Sequence, residues 1–177
     1  MPPGAWYHVI WNTLGSWLPG DPRGFRNRDH RIHSSGDYRN PPPREEHANL
    51  LAYNKSRSRD TVTLPRSIRP AIIESILDSL QRAEQHAAAI SVAAEHVHVL
   101  AALPHDYEAA ERLVGKLKTY ASLAVRVALP GSIWSRGCTI KRVSDESHWE
   151  AKRHYLTFKQ ERGACTWDVD VGVRWQQ

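Results

Sequence analysis

Two histidines separated by one residue, His96 and His98, lie inside an apolar run from Ala89 to Leu103. Alternate side chains of a strand leave the same face, so both imidazoles project together while Val97 packs the other way. Two neutral imidazoles fixed side by side on rigid backbone make half of a divalent-metal site. The competing reading is a pair of hydrogen-bonded core histidines, because imidazoles inside an apolar strand must be satisfied by something. With ten histidines in 177 residues, one His-x-His pair has little specificity by itself.

A metal beside a basic surface suits chemistry at a phosphodiester, which leaves the nucleophile to be found. No serine or cysteine has an evident base partner in the sequence. Tyr155 stands out instead, since His148, Lys152, Tyr155 and Lys159 follow one another at i, i+4, i+7 and i+11. On a helix these positions share one face, here polar and basic, and the phenol is presented to solvent. Tyr120, by contrast, falls in the apolar stripe of an earlier predicted helix, where a tyrosine packs and donates one hydrogen bond.

The formal charge of +5 and the pI near 9.4 favour an anionic partner. The excess is concentrated: from Asp21 to Arg69 ten arginines and one lysine face six acids, and the rest of the chain is neutral. Arginine supplies 18 of the 24 basic residues. Its planar fork binds phosphate at two points, although genomic base composition also produces such a bias. Only Cys138 and Cys165 are present, with no Cys-x-x-Cys pair, which excludes a disulfide framework and a thiolate zinc cage and points to a reducing interior. The N-terminus has no leader pattern and no stretch of about 18 uncharged apolar residues occurs, so a cytoplasmic protein with no membrane partner is expected.

The elements that would position these residues follow from periodicity and punctuation. Trp6 to Trp11 reads as a first strand, with Trp6, Val9 and Trp11 as its apolar positions. From Thr13 to about Leu64 no period is sustained, and Gly, Pro, Arg, Asp and Asn dominate. So long a loop inside a compact domain is either an arm that grips DNA or a disordered insertion. Ser67 to His86 reads as a helix with Ile68, Ile72, Ile76, Leu80 and Ala83 on one face and Pro70 in its first turn. Ala89 to Leu103 splits near Glu95 into two short strands. Asp106 to Leu129 is a second helix with Leu113, Leu117, Tyr120, Ala124 and Val127 as its apolar stripe, ended by Pro130-Gly131. Thr139 to Val143 is a further strand, and Asp145 to Arg162 a third helix closed by Gly163. This order predicts an α+β chain of one domain, 1–177, with a basic loop insertion at 13–64. Its first six elements match a ferredoxin-like β-α-β-β-α-β arrangement, in which helices cover one face of an antiparallel sheet.

With these residues in place, the sequence resembles the HUH single-tyrosine transposases of the insertion-sequence-200-like kind, including those associated with repetitive extragenic palindromes. The resemblance runs through Trp6-Tyr7-His8-Val9, GSWLPGDPRGF from Gly15 to Phe25, EHVHVL from Glu95 to Leu100 and GKLK from Gly115 to Lys118. It continues in WSRGC from Trp134 to Cys138 and HYLTFKQERGA from His154 to Ala164. It implies that His96 and His98 hold Mg²⁺ or Mn²⁺ and that Tyr155 attacks a DNA phosphate, giving a 5′-phosphotyrosine and a free 3′-OH. In that family a third ligand, Gln or Asn, often lies four residues after the tyrosine. Here that position is Lys159, so Gln160 one step further, or His148 on the tyrosine's face, takes its place as a candidate. Single-stranded DNA is the expected partner, with hairpin ends and a homodimer as further candidates. Arg23, Arg26, Arg28, Arg31, Lys116, Lys118, Lys152 and Lys159 are the expected DNA contacts. Two other functions compete: a metal-dependent nuclease that activates water, and a non-catalytic nucleic-acid-binding module descended from a transposase.

If the segment from Arg23 to Arg69 grips phosphate, binding to a single-stranded oligonucleotide should weaken with salt by a log–log slope of roughly −0.7 per contacted phosphate. Neutralising Arg23, Arg26, Arg28 and Arg31 together should flatten that slope. An unchanged slope would remove the arm from the binding surface.

Overall fold

In the computed structural model of the chain, residues 2, 4–23, 34–36, 40, 42–58 and 60–177 are described. Arg26, Arg28 and Arg31 lie outside them. Chain contacts separate two compact units, one of Met1–Thr13 with Thr63–Gln177 and one of Leu14–Val62.

The larger unit is α+β, built on a six-stranded antiparallel sheet in the order β4-β1-β3-β2-β5-β6. Its strands are β1 (Trp6–Asn12), β2 (Ala87–Val92), β3 (His96–Ala102), β4 (Thr139–Arg142), β5 (Cys165–Asp168) and β6 (Gly172–Trp175). β1 pairs with β3 in a register that sets Trp6 against Ala102, His8 against Leu100 and Ile10 against His98. Directly opposed residues share a face. One face therefore carries Trp6, His8 and Ile10 with His98 and Leu100, and the other carries Val9 and Trp11 with Val97 and Val99. Trp6 is thus not on the face of Val9 and Trp11, as the sequence reading grouped it; a period of two cannot place residues 6 and 9 together.

The two faces are closed by different helices. α2 (Arg69–Arg82), entered through a 3₁₀ turn at Arg66–Ile68 with a proline in its opening positions, packs on α3 (Tyr107–Val125), and together they cover the Val97 face. Ile72, Ile73, Ile76 and Leu80 are buried there with Val114 and Leu117. α4 (Glu146–Phe158) lies on the histidine face, where Trp149 and Leu156 join Trp6, Ala89, Leu100 and Val143 in one apolar cluster. Trp149 meets Trp6 edge to face with centroids 5.6 Å apart, a favoured geometry for indoles. The two helices of the first six elements thus share one face, as expected, and α4 takes the other.

The stripe that α3 buries is Ala110, Val114, Leu117, Ala121 and Val125. Of the sequence-predicted stripe only Leu117 belongs to it. Small residues at 110 and 121 let α3 approach α2 closely, and that closeness outweighs the larger apolar surface of the neighbouring stripe. Tyr120 is consequently 45% exposed, with the Arg82 guanidinium 5.2 Å from its ring centroid. α3 begins at its N-cap Asp106, whose carboxylate accepts from the Ala109 amide at 2.8 Å, the usual satisfaction of a free first-turn donor. α4 starts the same way, with Asp145 accepting from the His148 amide at 2.9 Å, but it stops at Phe158 and Gly163 lies beyond it in the approach to β5. The sequence reading ran this helix too far and contained neither β5 nor β6.

The smaller unit contains a helix the sequence reading did not contain, α1 (Ala48–Arg57), none of whose residues is buried. Gly20, at φ 93°, sits against it so closely that a β-carbon would stand 2.5 Å from the Leu51 nitrogen and 2.9 Å from the His47 oxygen. This accounts for a glycine within the GSWLPGDP stretch. No described helix is long and apolar enough to cross a membrane.

One ionic cluster fixes α4 on the sheet. Arg153 Nε donates to Asp168 Oδ2 at 2.8 Å and an Arg153 terminal nitrogen to Asp168 Oδ1 at 2.6 Å. Thr157 Oγ1 adds a third donor to Oδ2 at 2.9 Å, and Arg153 also pairs with Asp170. Asp168 is 2% exposed. Burial would raise its pKa, but hydrogen bonds from Arg153, the Asp170 amide and Thr157 hold it below the ordinary carboxylate value of 3.8. Removing one partner of such a pair strands the other, so Asp168→Asn should cost about 3 kcal/mol at neutral pH by urea denaturation. A depressed folded pKa contributes stability that is present above the unfolded value and lost as pH falls through the folded one. The difference between parent and variant should therefore be constant near pH 7 and shrink below about pH 4, the unfolded carboxylate range. A difference that persists unchanged to pH 2 would show that the charge of Asp168 is not what matters.

Candidate active site on the histidine face

The strand register and the seat of α4 together bring His98, His8 and Tyr155 into one cluster. His98 leaves the centre of β3 toward α4, where its ring meets the ring of Tyr155 edge to face at 6.0 Å between centroids. His96 follows on the same strand face, 4.9 Å from His98 and nearly perpendicular to it. His8 reaches diagonally from β1, its ring within 18° of parallel to that of His98, and His8 Nε2 lies 3.0 Å from His98 Nδ1. His8 and His98 are 4% and 7% exposed, whereas Tyr155 is 39% exposed. The phenol is therefore reachable by a substrate that the histidines meet from below.

Gln160 comes to the same place by a different route. It follows the end of α4 and accepts from Ser91 Oγ at 3.1 Å, and Ser91 is the cross-strand partner of His98 on β2. Its amide nitrogen donates to the Tyr155 carbonyl at 3.3 Å. The carboxamide is thus tied both to the sheet beside His98 and to the turn that carries Tyr155. His148, the other candidate third ligand, has its Nδ1 engaged by the Ser144 amide and hydroxyl at 3.3 and 3.2 Å. That contact places the remaining ring proton on Nε2 and makes His148 part of the helix start.

The electrostatics keep the imidazoles neutral. Desolvation, with the positive charge of Lys152 and Lys141 added, lowers the His8 pKa from 6.5 to about 4. Desolvation, with His96, His8 and Lys152 added, lowers His98 to about 2. Lys152 is therefore the base whose field reaches both rings. Neutral imidazoles and a carboxamide oxygen are donors that suit a divalent ion of the Mn²⁺ type better than a strictly oxygen-seeking one. No group of three or more His, Cys, Asp or Glu among the described residues could hold a metal ion. A metal on His96 and His98 would thus need an amide oxygen and an anionic substrate to complete its shell. The residues fit a cation that arrives with phosphate, and the surrounding lysines favour the phosphate.

The remaining sequence-predicted contacts are dispersed. Lys159 is the exposed C-cap of α4 and Lys116 is exposed on α3. Lys118 is half-buried, its ammonium donating to the carbonyls of Ser135 and Gly137 at 2.8 Å each. In the smaller unit the Arg23 guanidinium pairs with Asp21 at 2.7 Å and lies 4.4 Å from the Trp17 ring centre. Arg69, at the end of the basic segment, does not face solvent. It donates to Leu64 O at 3.1 and 2.8 Å and to Gly163 O at 2.6 Å, a buried clamp in place of the phosphate contact expected there.

Sequence reasoning quoted His8 within a motif and gave it no role; it also missed Ser91 and the Arg153–Asp168 pair. Each depends on strand register, which a single sequence does not state. Two clefts of the described residues lie away from His98 and Tyr155, one bounded by Lys118, Trp134 and Arg136, the other by Trp6, Trp149 and Trp167.

No protein-family model matches the chain, and no curated protein matches it. Among solved structures it is similar to a REP-associated tyrosine transposase bound to a REP hairpin, at 14% identity and a TM-score of 0.46. That likeness covers 86% of this chain and 64% of the other, so the chain spans less than two thirds of that protein's length. It is also similar to a candidate transposase from Deinococcus radiodurans R1, at 15% identity and a TM-score of 0.42, covering 87% of this chain and 95% of that one.

Because His8 and His98 resist protonation only in the folded state, the stability they contribute is complete above pH 6.5 and is lost as pH falls toward about 4 and about 2 respectively. The double variant His8→Gln/His98→Gln carries no titrating ring at these two positions. Its urea midpoint should fall less between pH 6.5 and 4 than that of the parent chain, and an equal fall would mean that these rings are already charged in the fold.

Proposed function

We propose that this chain is a metal-dependent, single-tyrosine transposase that cuts and rejoins single-stranded DNA. The observation that carries the proposal is the Tyr155 ring held 6.0 Å from that of His98 by a helix locked to the same sheet. The motif resemblance in the sequence adds to it.

In this reading Tyr155 Oη attacks a DNA phosphorus. The O–P bond to tyrosine forms as the bond from phosphorus to the 3′-oxygen breaks, leaving a 5′-phosphotyrosine and a 3′-OH; the phenolic proton is given up and one proton is taken by the leaving oxygen. The phosphodiester energy is conserved in the covalent bond, so a second strand's 3′-OH can reverse the step without ATP. His96 and His98, with Gln160, would hold Mg²⁺ or Mn²⁺, which when bound supplies charge stabilisation at the phosphate and the departing oxygen. Lys152 attracts the phosphate to the rim of the site. Hydrogen bonds from Gln160 and the Arg153 clamp keep the phenol from drifting, since a misplacement of about 1 Å costs on the order of 100-fold in rate.

The experiment uses a single-stranded oligonucleotide from the ends of the protein's own genomic element, labelled at its 3′ end, with Mn²⁺ or Mg²⁺. The parent protein should form a labelled adduct that survives SDS, mapped by mass spectrometry to Tyr155. Tyr155→Phe keeps the ring and its packing and should lower cleavage by about 10³-fold or more, the scale for losing a nucleophile. His96→Ala/His98→Ala should abolish metal-dependent cleavage with DNA affinity nearly retained. Cleavage without an adduct would instead establish water attack, and binding without cleavage a module that only recognises DNA.

A further inference from the structure

We infer that His8 is a positioning residue: its Nε2 accepts a hydrogen bond from Nδ1–H of His98 and so fixes the tautomer and orientation in which His98 offers Nε2 to a metal. The inference rests on the proposed metal role of His98 and adds a residue to it.

The contact itself is direct, with His8 Nε2 and His98 Nδ1 separated by 3.0 Å and their rings nearly parallel. Between two neutral imidazoles only one of the facing nitrogens carries a proton. If His8 donates, the ring proton of His98 resides on Nε2, and His98 has no lone pair left for an ion. If His98 donates, its Nε2 is the lone-pair atom. Ligation through Nδ1 would require the ion to displace His8 from a contact that the β1–β3 register builds. Metal-binding histidines generally give their second nitrogen to a carboxylate, a carbonyl or water, and that partner sets tautomer and ring angle. Here a buried imidazole occupies the partner's position.

The place of His8 in the fold explains why this partner suits the task. It stands two residues along β1 from Ile10, the residue directly opposite His98, so its side chain crosses diagonally over the sheet. Both rings rise from neighbouring strands inside the sheet, β1 and β3, each paired on both sides, and are almost fully buried. The orientation of His98 is thus set by paired strands and not by a loop. A carboxylate at position 8 would attract the nearby bases Lys141 and Lys152; an imidazole accepts the bond without adding charge.

Three measurements on the full chain test this. In metal-free protein labelled with ¹⁵N at histidine, ring shifts should show His98 protonated at Nδ1 and bare at Nε2, and His8 likewise bare at Nε2. Cd²⁺, a diamagnetic probe, should shift His98 Nε2 as a ligated nitrogen and leave His8 Nε2 unligated. His8→Phe should weaken Mn²⁺ binding by about 10- to 100-fold, the range for loss of such a partner. His8→Gln, whose carbonyl can reach the position of Nε2, should restore most of it. Thermal melts establish that each variant is folded; should the Phe variant fail, the parent spectra and the Gln variant still decide.

The inference is overturned if His98 keeps its proton on Nε2, if His8 is itself ligated to Cd²⁺, or if folded His8→Phe binds Mn²⁺ like the parent. The underlying metal reading fails separately. In that case His96→Ala/His98→Ala binds Mn²⁺ as tightly as the parent, whatever tautomer the metal-free spectra report.

Discussion

The buried ion pair between Arg153 and Asp168 is the constraint on which the candidate site depends. Tyr155 is two residues from that arginine, on a helix that would otherwise rest on the sheet through a few apolar side chains. Asp168 pins it at the level of β5, and Thr157 Oγ1, one turn of helix after Arg153, donates to the same carboxylate. Because β5 is hydrogen-bonded to β2 and β2 to β3, the clamp refers the phenol to the strand that bears His96 and His98. Apolar packing alone tolerates small sliding motions, whereas a bidentate guanidinium–carboxylate contact fixes both distance and direction. The proposed nucleophile and the proposed metal-binding pair, supplied by separate elements, need that kind of reference.

His8 and His98 are neutral, and Lys152 is the base whose field reaches both. In the proposed reading a phosphodiester would bring the negative charge that a bound cation and this lysine call for, so metal and DNA would bind in support of each other. Burial is what keeps the imidazoles uncharged in this basic setting, and the same burial makes their mutual hydrogen bond worth having.

Much of this was legible in the sequence, but unevenly. The strands β1 to β4 and the helices α2 to α4 were marked by apolar runs and periodicity, by Pro70 and by the Pro130-Gly131 stop. His96, His98 and Tyr155 were singled out by their spacing, by the apolar or basic setting of each and by the resemblance of the segments around them. What escaped was relational. The partnership of His8 with His98 needs the β1–β3 register, and the covering of the sheet on both faces needs to know which side α4 takes. The stripe of α3 was misplaced because two apolar stripes one residue apart are nearly equivalent on a helix, and only the close approach of α2 selects between them. Arg69 was grouped with the basic arm because charge counts do not report burial. β5 and β6 are four-residue strands, too short for alternation to rise above background, and α1 buries no side chain that would impose a period.

β3 lies inside the sheet, flanked by β1 and β4 on one side and by β2, β5 and β6 on the other. Opening it requires dismantling nearly the whole unit. α4, in contrast, is a single layer held by one apolar cluster, by the contacts of Arg153 with Asp168 and Asp170 and by the Thr157–Asp168 hydrogen bond. The two halves of the candidate site thus belong to parts of the molecule with different resistance to local unfolding. A fluctuation that lifts α4 would carry the phenol away while leaving the histidines in register, and the cleavage proposed for Tyr155 would fade on warming before the sheet begins to melt.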